Sequence, residues 1–232
     1  MLAMAGPVRS NDFDAILSPL LVDRRVTNPS GRGDKRTIRF NCTATFVDTT
    51  PSFVLSRVSI GRLVSIGASI RLQIARLDAK PPKRLATHRS PSTDVRVEFG
   101  LETTTDEDPE NISRALGLVP TATLRKGELG AHAGRPSRSM RWKYVVGPRR
   151  DLDFGACLEE MLSVIQPRTN EIASLTTHRV EGILSFVGYF SGISPELVLT
   201  AEHLDAIRRL GLEVDADLMH SVLVVPESAP ST

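Results

Sequence analysis

Charge is split along this chain at Thr93, and the split limits what can fold. Residues 1–93 carry 15 Lys and Arg against 6 Asp and no Glu, whereas residues 94–232 carry 14 Lys and Arg against 21 Asp and Glu. The two parts have net charges of +9 and −7, which together give the +2 of the 232-residue chain. Folded surfaces usually intersperse both signs, so the acidic part reads as a domain and the basic part as a segment joined to it. Four regions are expected. Residues 1–79 form a basic, Glu-free segment, either disordered or translated from upstream sequence. Residues 80–93 (KPPKRLATHRSPST) have the composition of a linker. Residues 94–222 form a compact α+β domain, and residues 223–232 a flexible tail. A domain of about 130 residues buries roughly two-thirds of its unfolded surface, enough for a core without staples.

Local signals agree with one another from residue 94 onward. Val95, Val97, Phe99 and Leu101 alternate with Arg96, Glu98, Gly100 and Glu102, the pattern of a half-buried strand. Asp108 and Pro109 open a helix that Gly117 closes. Residues 121–140 read as a loop, and residues 141–146 as a second strand. Phe154, Cys157, Leu158, Met161, Leu162 and Ile165 form one helical stripe, broken at Pro167. Residues 180–190 and 196–200 read as two strands joined by the turn Ser191-Gly192. Thr200 caps a last helix ended by Gly211, and Val214, Ala216 and Leu218 close with a strand. The order β-α-β-α-β-β-α-β predicts an antiparallel or mixed sheet with helices on one face, of ferredoxin-like, split βαβ type. Leu-Gly-Leu ends a helix twice, at residues 116–118 and 210–212, a hint of duplication. The echo of Ser59-Ile60-Gly61 in Ser65-Ile66-Gly67 is too short to count as a repeat. Between Phe53 and Leu77 the periodicity is mixed. Val58 and Ile60 alternate as in a strand, while Leu63, Ile66 and Ile70 step as on a helix.

Several residues together resemble a bacterial family known as domain-of-unknown-function family 4279. They are Asp108-Pro109-Glu110, Leu-Gly-Leu-Val-Pro-Thr at 116–121, Lys126-Gly127-Glu128, Trp142, LEEMLSVIQP at 158–167, and Leu-Gly-Leu-Glu-Val-Asp-Ala-Asp at 210–217. The resemblance covers residues 95–220 and leaves the basic segment outside. The family pattern places an aromatic where this chain has Met219. The resemblance implies an α+β fold and small cytoplasmic proteins, some resembling immunity partners of toxins; it implies no established activity.

Composition excludes some classes. No uncharged apolar run reaches the ~18 residues of a membrane span, and Asp12 and Asp14 interrupt any secretory pattern. Cys42 and Cys157 make no disulfide framework. A cytoplasmic location follows as the expectation, so the sequons at Asn41 and Asn111 and the Arg32-Gly33-Asp34 tripeptide carry no weight. Neither phosphate-binding glycine motif occurs, nor GxSxG, HExxH or CxxC. The five histidines lack ligand spacing, and no cofactor or metal is expected.

The candidate contact residues are Arg125, Lys126, Trp142, Asp215 and Asp217. Asp215 and Asp217, two apart on a strand, share a face and can act as metal ligands or as acid and base; otherwise they are a solvated strand face. Arg125 and Lys126 sit on a loop able to hold an anion. Trp142, the single tryptophan, is either core or an interface anchor. Asp106, Glu107, Asp108 and Glu110 form the densest acidic surface, which helix capping explains in large part. Three functions fit. The foremost is a non-catalytic protein-binding module, such as an immunity-type neutraliser of a toxin. The alternatives are a nucleic-acid-associated protein using residues 1–93, and a small metal- or ligand-dependent enzyme in which Asp215, Asp217 and Lys126 converge.

Overall fold

A computed structural model describes residues 38–46, 52–76, 94–129, 135–150, 153–176, 180–190 and 196–220. In chain order the elements are β1 (Ile38–Phe46), β2 (Ser52–Leu55), α1 (Arg57–Ser65), β3 (Ala68–Arg76), β4 (Asp94–Thr103), α2 (Pro109–Leu116) and β5 (Ala122–Leu124). Then come β6 (Met140–Arg149), α3 (Phe154–Ile165), a 3-10 turn (Gln166–Arg168), α4 (Thr169–Thr176), β7 (Glu181–Phe190), β8 (Leu197–Leu199), α5 (Ala201–Arg209) and β9 (Glu213–His220). The class is α+β.

The helix ends are set by caps that the residue types dictate. The Asp108 carboxylate accepts the Glu110 N–H, Pro109 fills the first turn, and Gly117 stops α2 at φ 60°. Asp153 accepts the Ala156 N–H at the start of α3, whose buried face is the expected stripe from Phe154 to Ile165. At α5 the Thr200 hydroxyl accepts the His203 N–H at 3.2 Å, while His203 Nδ1 accepts the Thr200 N–H at 3.3 Å, a reciprocal capping box.

Six strands form one mixed sheet in the order β2-β9-β7-β4-β6-β5, and three form a second, β1-β3-β8. The parallel pair in the large sheet, β7 with β9, is adjacent, and all its other neighbours are antiparallel. The split βαβ detail is therefore not seen, because no strand separates the parallel pair. α3 touches β4 and β6 of the large sheet and β8 of the small one, and α1 touches β9 and β3, so helices lie between the sheets. Val95, Val97, Phe99, Trp142, Leu184, Phe186, Val214 and Ala216 face them in one core.

Three expectations need correction. Residues 196–200 do not return beside β7. Both edges of β7 are occupied, by β4 and β9, so β8 pairs with β3 instead, with Leu199 opposite Ile70. In the presumed loop, Ala122–Leu124 adds an edge strand against β6. Residues 38–46 and 52–76, expected to lie outside the folded unit, belong to it. Leu55, Ile60, Leu63, Ala68, Ile70 and Leu72 are all core residues. Within them Val58 and Ile60 lie on a helix and Ile70 on a strand, because Ser56 caps α1 and Gly67, at φ 64°, ends it. The linker at 80–93 and the tail at 223–232 lie outside the described residues.

Residues 38–46 and 52–76 repeat residues 182–190 and 196–220 at a constant spacing of 144, as Gly67 stands to Gly211. Ser56 and Thr200 both cap by accepting the N–H three residues on. Ile60 and Leu63 match Leu204 and Ile207 as the buried helix stripe, and Gly67 and Gly211 end the helices at φ 64° and 66°. Strand registers coincide as well. In β1 with β3, Arg39 pairs Ser69; in β7 with β9, Ile183 pairs Glu213. The two copies also exchange strands: Phe53 pairs Ala216, and its counterpart Leu197 pairs Leu72. In sequence the likeness runs further upstream, outside the described residues: Phe13, Ile16, Leu17, Leu20 and Leu21 are spaced like Phe154, Cys157, Leu158, Met161 and Leu162. Few identities survive, which hid the duplication from a reading of periodicity.

Leu63 and Ile207 occupy equivalent buried positions on α1 and α5, which pack on each other. Leu63→Ala and Ile207→Ala are each expected to cost about 2–5 kcal/mol, read as lowered urea midpoints. A Leu63→Ala chain as stable as the parent would place residues 52–76 outside the fold.

Candidate functional site: a charged open sheet face

Alternation gives the large sheet two unlike faces. The apolar face carries the helices. The other face presents Arg96, Glu98 and Glu102 from β4, Arg141 and Lys143 from β6, Ser185 and Tyr189 from β7, and Asp215 and Asp217 from β9. Register sets their neighbours: Glu98 pairs Ser185, which pairs Asp215, while Arg96 pairs Val187, which pairs Asp217.

Glu98 is the centre of this face and is only 6% exposed. Arg96 Nε donates to its Oε1 at 2.6 Å and Lys143 Nζ to its Oε2 at 2.7 Å, so each carboxylate oxygen has a cationic donor. Burial pushes the Glu98 carboxyl up, but the hydrogen bonds and charges of Lys143 and Arg96 outweigh it and hold it below the usual glutamate range. The Arg96 guanidinium also lies over Tyr189, 5.7 Å from the ring centroid. Asp217, half-buried, goes the other way. Burial raises its carboxyl, Arg96 opposes the rise, and the charge on Glu98 adds to it. Arg96 is already engaged by Glu98, so it compensates Asp217 only in part.

Asp215 and Asp217 share the face expected for them, and the network beside them has no local signature in the sequence. The outward positions of Arg96 and Glu98 were legible from alternation. Their meeting with Lys143 depends on the β4–β6 register, in which Gly100 pairs Lys143.

The other candidates behave differently. Trp142 is buried: its indole N–H donates to Ser113 Oγ at 3.0 Å, and its ring meets Phe99 edge-on at 5.8 Å. It is core and offers no contact surface. Arg125 and Lys126 meet the acidic cluster and neutralise part of it. Arg125 contacts Asp108 at 2.9 Å and Glu110 at 3.6 Å, and Lys126 contacts Asp106 at 3.1 Å. Glu107 accepts from Asn111 at 3.3 Å. The pairing engages both cations with Asp106, Asp108 and Glu110 and leaves Glu107 opposed by an amide alone. Lys126 follows β5 at one edge of the sheet, and β9 lies four strand spacings away, about 19 Å. Asp215, Asp217 and Lys126 therefore do not converge. Among the described residues no three His, Cys, Asp or Glu side chains group as metal ligands, and no helix is long and apolar enough to cross a membrane. Cys157 is buried on α3. His203 joins two helices, with Nε2 2.7 Å from Glu159 on α3; since Nδ1 accepts from Thr200, the ring proton sits on Nε2 and points at that carboxylate.

A family model described as Domain of unknown function (DUF4279) matches residues 93–221. No curated protein and no solved structure matched the chain.

The two carboxylates predict opposite pH behaviour. Asp217 has a folded pKa above its ordinary 3.8. Its ionised form weakens the fold above that folded pKa, and the penalty disappears as pH falls through it. Asp217→Asn is therefore expected to stabilise at neutral pH, with the gain shrinking in acid. Glu98 has a folded pKa below its ordinary 4.5, so its contribution is full above that value and lost as pH falls through the depressed one. Glu98→Gln is expected to cost on the order of 1–3 kcal/mol at neutral pH, the cost fading in acid. Urea midpoints across this range check both signs.

Proposed function

Because the chain belongs to that family, whose description assigns no activity, we propose its function from the open face: a non-catalytic module that binds another protein through β9, β7, β4 and β6. One observation carries this reading. Asp217 is held half-buried beside an arginine already engaged by Glu98, so its carboxylate gains most from a cation or donor brought by a partner. The face is a sheet surface whose charges are fixed in place by pairing, a platform suited to an opposing protein surface. The partner presents Lys or Arg side chains to Asp217 and Asp215. A toxin neutralised by an immunity-type protein in the bacterial cytoplasm has this character, and the family resemblance supports it.

The test is affinity capture from the native host with tagged full-length chain, followed by mass spectrometry. A stoichiometric protein is expected. Asp217→Lys sets like charges against the partner's cations and is expected to weaken capture at least ~10-fold. Arg125→Ala, at the far edge of the sheet, is expected to leave capture intact. Equal capture by the Asp217→Lys chain would remove this face from the interface.

A further inference from the structure

The contact between the two copies has the form of a two-fold interface. Phe53 pairs Ala216 and Leu55 pairs Val214; the counterparts Leu197 and Leu199 pair Leu72 and Ile70. Position i of one copy meets j of the other, and j meets i, which defines an isologous contact. Between the exchanged strands α1 packs on α5, burying Ile60 and Leu63 against the sheet-and-helix layer that holds Leu204 and Ile207. A surface covered in this way by its own kind is self-complementary. Without residues 52–76, β9 would show a bare strand edge and α5 its apolar stripe, features that demand cover.

We propose that β8, α5 and β9 form a self-association surface, and that residues 52–76 occlude it in cis by standing where a second copy of residues 196–220 would dock. Freeing the surface lets two chains join through it. The register is then defined: Val198 lies opposite Asp215 of the second copy, as Val54 lies opposite Asp215 in cis. Two effects favour the cis occupant. Covalent linkage gives it an effective concentration on the order of 1 mM. One ion pair also discriminates. Arg71 Nε lies 2.9 Å from Glu196 across the β3–β8 pair, and the residue equivalent to Arg71 is Asp215. A second copy would thus set Asp215 against Glu196, like charge against like.

The test uses the full chain with Cys42→Ser and the reporters Val198→Cys and Asp215→Cys. With the cap intact, Val198 faces Arg71 and Asp215 faces Val54, so mild oxidation is expected to give no 198–215 disulfide. Ile60→Asp with Leu63→Asp weakens the cap. In that background an interchain 198–215 disulfide is expected, mapped by peptide mass spectrometry. Without the cysteines, light scattering is expected to show the dimer fraction rising at least ~10-fold. Asp215→Arg, replacing the repelling acid by the residue of the cap, is expected to raise it further. If the aspartates unfold the chain by circular dichroism, Leu63→Ala is read in the same way. A folded, cap-weakened chain that stays monomeric and forms no 198–215 disulfide overturns the proposal. So does unfolding by both variants, since a docking surface must survive release of its cap.

Discussion

The structure depends on two antiparallel strand pairs, β2 with β9 and β8 with β3. Each joins a strand of one copy to a strand of the other. Without β2, β9 would be an edge strand with its ladder groups open on one side. Without β3, β8 would have no strand partner among the described residues, since β7 is taken on both edges. Three residues of isolated strand cannot hold themselves in place. The family-matched residues 93–221 therefore contain two features, an edge and an orphan strand, that residues 52–76 resolve together. The buried stripe shared by α1 and α5 adds the apolar area that makes the exchange favourable.

With the sheet fixed, its outer face follows from alternation, and the face then selects its own electrostatics. Glu98 sits between β6 and β7, where a carboxylate loses much of its hydration; Lys143 and Arg96 restore what burial removes. Their commitment leaves Asp217, one strand beyond β7, only a share of Arg96. The same cations stabilise one acid and leave the other raised, so the face is rigid at Glu98 and receptive at Asp217. At the sheet's far edge Arg125 and Lys126 pair with part of the acidic cluster across exposed contacts, which contribute little.

Much of the acidic part was legible because short-range rules govern it. Asp108-Pro109 and Gly117 bound a helix by capping alone, and the stripe from Phe154 to Ile165 announces a buried face. Asp215 and Asp217 share a face because a strand has period two. What escaped depends on pairing between distant residues. Nothing near Lys143 says that it meets Glu98, or near Trp142 that Ser113 awaits its N–H. The partner of β8 is hidden for the same reason: a hairpin is the local default, and only the occupancy of β7 forbids it.

The duplication was hidden by charge rather than by distance. At equivalent positions Ser52 stands for Glu196, Val58 for Glu202, Gly61 for Asp205, Ser69 for Glu213, Arg71 for Asp215 and Gln73 for Asp217. Opposite every acid of residues 196–220, residues 52–76 hold a neutral or basic residue at the equivalent position, while the cap, the apolar stripe and the stop glycine are shared. Translated non-coding sequence would have no cause to keep those features at one spacing, so residues 38–46 and 52–76 read as a diverged copy of residues 182–190 and 196–220. The difference in charge between the copies has a physical consequence. Two identical acidic units would repel across a two-fold contact, and an acid-free copy relieves this, most directly where Arg71 meets Glu196. The basic character that makes residues 1–93 look foreign is thus, over residues 52–76, what lets them fit the acidic copy better than it would fit itself.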